Sequence, residues 1–242
     1  MMAVLGVILA RAGSRGLPDK CVRPLLGRPV IAYTFEHASA SRRLTATLLT
    51  TDSAAARDLA LGAGIEVVDR PADLAGDTAT VDAAARHAVE TWESLHGQRA
   101  DIIVLLYGNV PVRSKGLIDR AVERLIETKA DSVRSVAPVT KQHPDWVHRL
   151  DGDRMTQYRS NSIYRRQDLE PLYYHDGAVA VVTRAALFGA LATPDDHQSF
   201  LGRDRRALVQ RADEAVDIDE PVDLYVAEAI LRGTRGDVHV GA

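Results

Sequence analysis

Two short stretches far apart in the chain concentrate charge in patterns that suit phosphate chemistry. The first reads Ala10-Arg11-Ala12-Gly13-Ser14-Arg15-Gly16-Leu17-Pro18-Asp19-Lys20. Its glycines let the backbone turn tightly and aim N–H groups at an anion. Arg11, Arg15 and Lys20 carry enough charge to neutralise a triphosphate. No Lys-Ser or Lys-Thr pair follows the second glycine, so this is not a P-loop, and the Gly-x-Gly-x-x-Gly of a dinucleotide turn is absent too. The second stretch is Asp217-Ile218-Asp219, just ahead of Pro221. Residues two apart on an extended segment project to one face, where two carboxylates repel unless a cation lies between them. Magnesium suits such a pair, because it takes one or two carboxylates and completes its shell with water and phosphate oxygens. The plainer readings are a solvated basic loop and, for Asp219 or Glu220, acids that cap a helix.

These side chains need elements to hold them. Apolar runs predict strands at Val4 to Leu9, Thr45 to Thr50, Ile65 to Val68, Asp101 to Leu106 and Asp131 to Val136. Between them, helices are predicted over Pro29 to Ala40, Ser53 to Leu61 with Ser53 as N-cap, Thr78 to Leu95 with Asp77 as N-cap, and Ser114 to Thr128. Apolar strands alternating with helices specify a Rossmann-like α/β fold, a mainly parallel sheet with helices on both faces. Ligands of such sheets bind at the carboxyl ends of the strands, which is where the basic loop falls. The alternation breaks near Pro138. Lys141 to Tyr174 is polar and rich in His, Arg, Asp and Tyr. So long a stretch is rarely structureless, and it reads as an inserted arm, residues 141–174 of a single domain spanning 1–242, that packs on a second subunit. A strand at Gly177 to Thr183, a helix near Arg184 to Leu191, a short strand at Ala207 to Gln210 and a helix over Pro221 to Leu231 complete the expectation.

Composition narrows the function. The 242 residues suffice for a core without staples, and a net charge of −3 gives no basic field for nucleic acid. The single cysteine, Cys21, suggests a reducing compartment. The apolar start, Met1 to Ala10, has no basic residue ahead of it and is too short to span a bilayer; a buried first strand of a cytoplasmic protein with no membrane partner is expected. His143, His148 and His175 fit no zinc spacing and read as surface or arm histidines. Trp92, Trp146, Tyr173 and Tyr174 read as packing or interface residues.

The basic loop resembles the A-R-x-x-S-K-G-x-P-x-K-N signature of CMP-sialic acid synthetases, the acylneuraminate cytidylyltransferases. Four further segments keep the family order: Thr50-Thr51-Asp52, Arg70 to Thr80, Arg165 to Leu169 with Asp176-Gly177-Ala178, and Val216 to Pro221. The resemblance implies a nucleotide-diphospho-sugar transferase type of fold with a small dimerisation arm. It also implies a magnesium-dependent transfer of CMP from CTP to a nine-carbon acidic sugar, and the Lys141 to Tyr174 arm favours a homodimer. Residue by residue, it implies that Arg11, Ser14, Arg15 and Lys20 hold the CTP phosphates, with Ala10, Ala12 and Gly13 lining the nucleotide. Arg70 and Thr80 would lie near the cytidine. Asp217 and Asp219 would bind magnesium, Asp219 being catalytic together with Arg11, Arg15 and Lys20. Arg165, Arg166 and Gln167 would lie near the sugar. The general base stays open between one of the two aspartates and a hydroxide held by the metal. Three departures stand out: Arg15 for Lys, Cys21 for Asn, and Leu106-Tyr107-Gly108-Asn109-Val110-Pro111-Val112-Arg113 for L-Q-P-T-S-P-L-R. The last makes Tyr107 and Asn109 candidate acceptor-side residues and points to a relative of sialic acid, such as a legionaminic, pseudaminic or deaminated form. The rival readings are a 3-deoxy-manno-octulosonate cytidylyltransferase and a non-catalytic nucleotide-sugar binding protein.

Overall fold

The computed structural model describes residues 2–13, 16–189 and 196–234. In chain order its elements are β1 (Val4–Leu9), β2 (Pro24–Leu25), β3 (Arg28–Pro29), α1 (Val30–Ser39), β4 (Ala46–Thr51), α2 (Ala54–Gly62), β5 (Glu66–Asp69), α3 (Val81–His96), β6 (Ile102–Tyr107), β7 (Val112–Arg113), α4 (Leu117–Thr128), β8 (Ser132–Pro138), β9 (His148–Asp151), β10 (Arg154–Gln157), β11 (Tyr173–Thr183), α5 (Arg184–Gly189), β12 (Arg205–Val209), β13 (Ala215–Val216) and α6 (Pro221–Thr234).

Seven strands form one sheet in the order β12-β8-β11-β6-β1-β4-β5. Six run parallel and β11 alone runs against its neighbours β6 and β8. The expected mainly parallel sheet is therefore present. All six residues of β1 are buried, because helices cover both of its faces. One face packs on α1, α2 and α4 through Ile31, Phe35, Ala60 and Leu125. The other packs on α3 and α5 through Ala85, Ala88, Trp92 and Leu187. From β1 the chain builds outward to β5, then crosses back to β6 on the other side. That reversal leaves a crevice above β1 and β6, the usual ligand position in open α/β sheets.

A third apolar cluster matters most for function. Leu17 from the basic loop, Val112 from β7, Ile218 from between the two aspartates and Ala227 from α6 are buried together. Water is thereby excluded from a contact that joins the start of the chain to its end. Among the described residues, no helix is long and apolar enough to cross a membrane.

Several boundaries differ from expectation. Helix α3 begins at Val81 rather than Thr78, and its N-cap is Thr80, whose Oγ1 accepts from the Ala83 N–H at 3.3 Å. Asp77 instead accepts from Arg11. Helix α4 starts at Leu117, after Gly116 in a left-handed conformation. Residues 190 and 191 of the expected Arg184 to Leu191 helix lie outside the described residues. In the arm, β9 and β10 form a hairpin whose eight residues are all exposed. His143 is not a surface residue: it is 1% exposed. Its Nδ1 accepts from the Asp145 N–H at 3.2 Å, so Nε2 carries the proton and donates to the Glu170 carbonyl at 3.0 Å. The ring ties the two ends of the arm together. Trp146 holds a further point, donating from Nε1 to Ile163 O at 3.0 Å.

Candidate active site

The carboxyl ends of β1, β5 and β6 converge on one cleft of about 240 Å³, lined by Ala10, Arg11, Lys20, Arg70, Thr80, Tyr107 and Asn109 among others. Each follows a strand or opens a helix, so its place is set by the sheet. Ala10 continues β1 and donates to Thr50 O at 3.2 Å. The Ala12 N–H then donates to Asp52 Oδ1 at 2.8 Å, and Arg11 reaches Gly76 O at 3.0 Å and Asp77 Oδ1 at 3.2 Å. Arg70 donates from Nη2 to Thr50 O at 2.8 Å. Burial lowers the Arg70 pKa, with Asp52 opposing and the charge of Arg11 adding to the fall. Arg11 and Arg70 together make this end of the cleft a place that favours an anion. Thr80 at the amino end of α3 lines the same cleft, so that helix terminus opens onto it. Gly13 lies in the exposed part of the loop, while Ser14 and Arg15 lie outside the described residues.

The decisive juxtaposition is across the chain. Lys20 Nζ forms an ion pair with Asp219 Oδ1 over a separation of 199 residues. Burial of Ile218 turns its two neighbours outward together, as the alternation predicts. Asn109 locks the segment: its carbonyl accepts from the Ile218 N–H at 2.9 Å, and its Nδ2 donates to Ile218 O at 3.0 Å and to Asp217 Oδ1. The capping role belongs to Asp223, whose Oδ2 accepts from the N–H groups of Asp219 at 2.9 Å and Glu220 at 2.7 Å. Asp217 and Asp219 are thus spared for other work. Asp217 stays open to water on its outer side yet is crowded by protein within. That crowding, with the Asp219 charge beside it, pushes its pKa up to about 6.

Two glycines permit the close approach. A Cβ at Gly16 would lie 2.6 Å from the Asp219 carbonyl oxygen. Gly177 has a φ of +73°, and a Cβ there would lie 3.2 Å from Asp217 Oδ2. Gly177 belongs to an irregularity in β11. His175 faces Val136 where regular pairing from the Ala180–Arg134 pair would place Ala178, a slip of three residues. Such bulges re-aim a strand beside functional sites.

The donor set fits magnesium. Asp217 and Asp219 flank buried Ile218, burial and then the Asp219 charge raise the Asp217 pKa, and a lysine ammonium already sits against Asp219 where a cation is favoured. Among the described residues, no group of three or more His, Cys, Asp or Glu side chains could hold a metal ion.

Cys21 also lines the cleft, but burial pushes its thiol up to about 12, far from nucleophilic at neutral pH. Arg165, Arg166 and Gln167 are exposed on the arm and are not among the residues lining the cleft. Sequence reasoning gave no role to Arg113. It is buried beneath the aspartates and donates to Ala178 O at 2.7 Å, Tyr107 O at 2.8 Å, Thr34 Oγ1 at 2.9 Å and Val110 O. Burial pulls its pKa down to about 9, with Asp217 and Asp176 opposing, so it remains a cation that braces β6, β7 and β11. The only prior signal was its match to the arginine of the family's L-Q-P-T-S-P-L-R segment.

A family model described as Cytidylyltransferase matches residues 5–201. The N-acylneuraminate cytidylyltransferase of Streptococcus agalactiae is 34% identical over 184 residues, covering 74% of this chain and 43% of that protein. The chain therefore spans less than half the length of that relative. The CMP-N,N'-diacetyllegionaminic acid synthase of Legionella pneumophila is 29% identical over 236 residues, covering 95% of this chain and 97% of the other. Among solved structures, a CMP:2-keto-3-deoxy-manno-octonic acid synthetase complexed with CTP superposes with a TM-score of 0.71 at 17% identity, covering 96% of this chain and 99% of that one. At that identity the likeness speaks to fold alone.

Proposed function

Because the chain belongs to the cytidylyltransferase family, we propose that it transfers CMP from CTP to the anomeric hydroxyl of a nine-carbon acidic sugar and releases pyrophosphate. The observation that carries this reading is the contact of Lys20 with Asp219 beside a cleft lined by Arg11 and Arg70. The sugar hydroxyl attacks the α-phosphorus in line, and the protein's work is alignment and charge neutralisation. Arg11 and Lys20, with Arg15 as a further candidate, bear the charge of the departing pyrophosphate. Arg70 and Thr80 border the nucleoside, with Ala10, Ala12, Gly13 and Ser14 as the loop around it. Asp217 and Asp219 hold magnesium, with Asn109 fixing Asp217 in place. When bound, the metal neutralises phosphate oxygens and eases ionisation of the attacking hydroxyl.

Tyr107 and Asn109 border the acceptor end, with Arg165, Arg166 and Gln167 of the arm as further acceptor-side candidates. The working unit is a homodimer that pairs through the arm. What supports this is the set of apolar side chains on that hairpin, with Leu150 71% and Met155 63% exposed. The Legionella relative matches end to end, so a legionaminic acid heads the acceptors to try.

The test is magnesium-dependent pyrophosphate release from CTP with N-acetylneuraminate, N,N'-diacetyllegionaminate, pseudaminate and the eight-carbon 3-deoxy-manno-octulosonate. Turnover is expected with a nine-carbon acid, and none after chelation of magnesium. Turnover confined to the eight-carbon acid would move the reading to that class. CTP binding without pyrophosphate release from any acceptor would make the chain a binding protein.

A further inference from the structure

Arg134 is a half-buried arginine on β8 that makes no ion pair or hydrogen bond among the described residues. The sheet register sets where it points. Arg134 lies opposite Ala180, and Ala180 lies opposite Leu105. Paired residues share a face of a sheet, and Tyr107, two positions beyond Leu105, shares it too. Two strand spacings separate β8 from β6, roughly 10 Å, and two residues along a strand add about 7 Å. An extended guanidinium and a phenol span that gap together. Their electrostatics agree: burial lowers the Arg134 pKa and raises that of Tyr107, and the charge of each acts on the other.

His175 lies on the same face of the sheet, opposite Val136 on β8. Burial lowers the His175 pKa, and Arg134 and His197 lower it further. The carboxylate whose charge bears on Arg134 is Asp176, and it is spent elsewhere. Its Oδ1 accepts from the Ser135 hydroxyl and from the Ala178 N–H at 3.0 Å, and its Oδ2 accepts from Gln210 Nε2 at 2.7 Å. Ser135 alternates with Arg134 along β8, so that carboxylate lies toward the opposite face. A cation drawn partly out of water with no fixed partner carries an uncompensated desolvation cost. A ligand carboxylate would compensate it, and a guanidinium matches a carboxylate in two parallel hydrogen bonds.

We propose that Arg134, beside Tyr107 at the acceptor end of the cleft, binds the carboxylate of the acidic sugar and so selects acids over neutral sugars. This rests on the cytidylyltransferase reading above. It assigns the carboxylate to a residue of the sheet rather than to the exposed Arg165 and Arg166 of the arm.

The experiment is steady-state kinetics on the full chain, with CTP and whichever of the four acids the unmodified protein turns over. Arg134→Gln should raise the KM for the acid about 10–100-fold, the loss expected for a charge-assisted hydrogen bond, with the KM for CTP unchanged. Arg134→Lys should fall between the two. The C1 carboxamide of the same sugar, read as a competitive inhibitor, should bind both proteins alike. Retention of the rise in Tm on adding CTP checks that each variant is folded; should the Gln variant fail there, the Lys variant is read in its place. An unmoved KM for the acid, or an equal loss for the carboxamide, overturns the assignment. A loss confined to Arg165→Ala or Arg166→Ala overturns it as well. If the unmodified protein turns over no acidic sugar, the proposed function fails first and this assignment falls with it; if only the Arg134 variants fail to respond, the assignment alone is wrong.

Discussion

Around Lys20 the chain meets itself, whereas along Leu150 to Tyr164 its apolar side chains meet water. The nucleotide end is closed by backbone hydrogen bonds from four strand ends, by the buried cluster of Leu17 with Ile218, and by Arg113 beneath. The arm is a hairpin anchored at its base by His143 and Trp146, with Leu150, Met155 and Tyr164 uncovered. A single copy therefore brings Lys20 and Asp219 together by itself, and leaves Leu150, Met155 and Tyr164 exposed on the arm.

The comparison breaks first, and hardest, at the ion pair. Lys20→Ala and Asp219→Asn should each lower pyrophosphate release about 10²–10³-fold while leaving Tm nearly unchanged, since Asp219 is exposed. Near-normal turnover by either would remove the phosphate end from consideration. A smaller loss should follow Gly16→Ala. Its Cβ would lie 2.6 Å from the Asp219 carbonyl, and a displacement of about 1 Å can cost up to about 10²-fold in rate. An unaltered kcat would show that the loop and the acidic segment need not be so close.

On the arm, Leu150→Glu together with Met155→Glu should convert a dimer to a monomer in sedimentation velocity, with CTP binding intact and sugar turnover down by about tenfold, the scale of a lost positioning contact. A monomeric unmodified protein would refute the pairing. The smallest expected effect concerns pH. His37, on α1 behind the phosphate end, is lowered to about 4 by burial and then by Arg113, with the Pro111 carbonyl opposing. Between pH 6.5 and about 4 the unfolded chain binds a proton that the folded chain refuses, so stability falls as pH drops through that window. The fall should be about 1–2 kcal/mol after allowing for partial exposure of the ring, and His37→Gln should flatten it in urea titrations. An unchanged slope would show that acid unfolding starts elsewhere, the arm being the next place to look.

Much of this was legible from local pattern. The apolar run Val4 to Leu9 could hardly be anything but a buried strand, and Ser53 caps α2 as its position suggests, accepting from the Ala56 N–H at 3.3 Å. The α3 start was misread because Asp77, a good capping type, is engaged by Arg11, a tertiary partner that no local rule reveals. His143 was misread for a similar reason: a polar surrounding sequence hides that the arm folds back over its ring. Arg113 looked like one more charged residue because burial is not written in residue type.

By itself the chain's order of residues determined the alternating strands and helices, the anion-seeking glycine turn and the shared face of Asp217 and Asp219, since each follows from hydrogen bonding, sterics and alternation within a few residues. Only the tertiary structure decided that these two charged stretches meet, that Asp223 rather than Asp219 caps α6, and that Arg134 and Tyr107 look across the same face of the sheet. Those outcomes depend on burial of Leu17 against Ile218 and on the register of strands distant in sequence, contacts whose energy exists only once the whole core has formed.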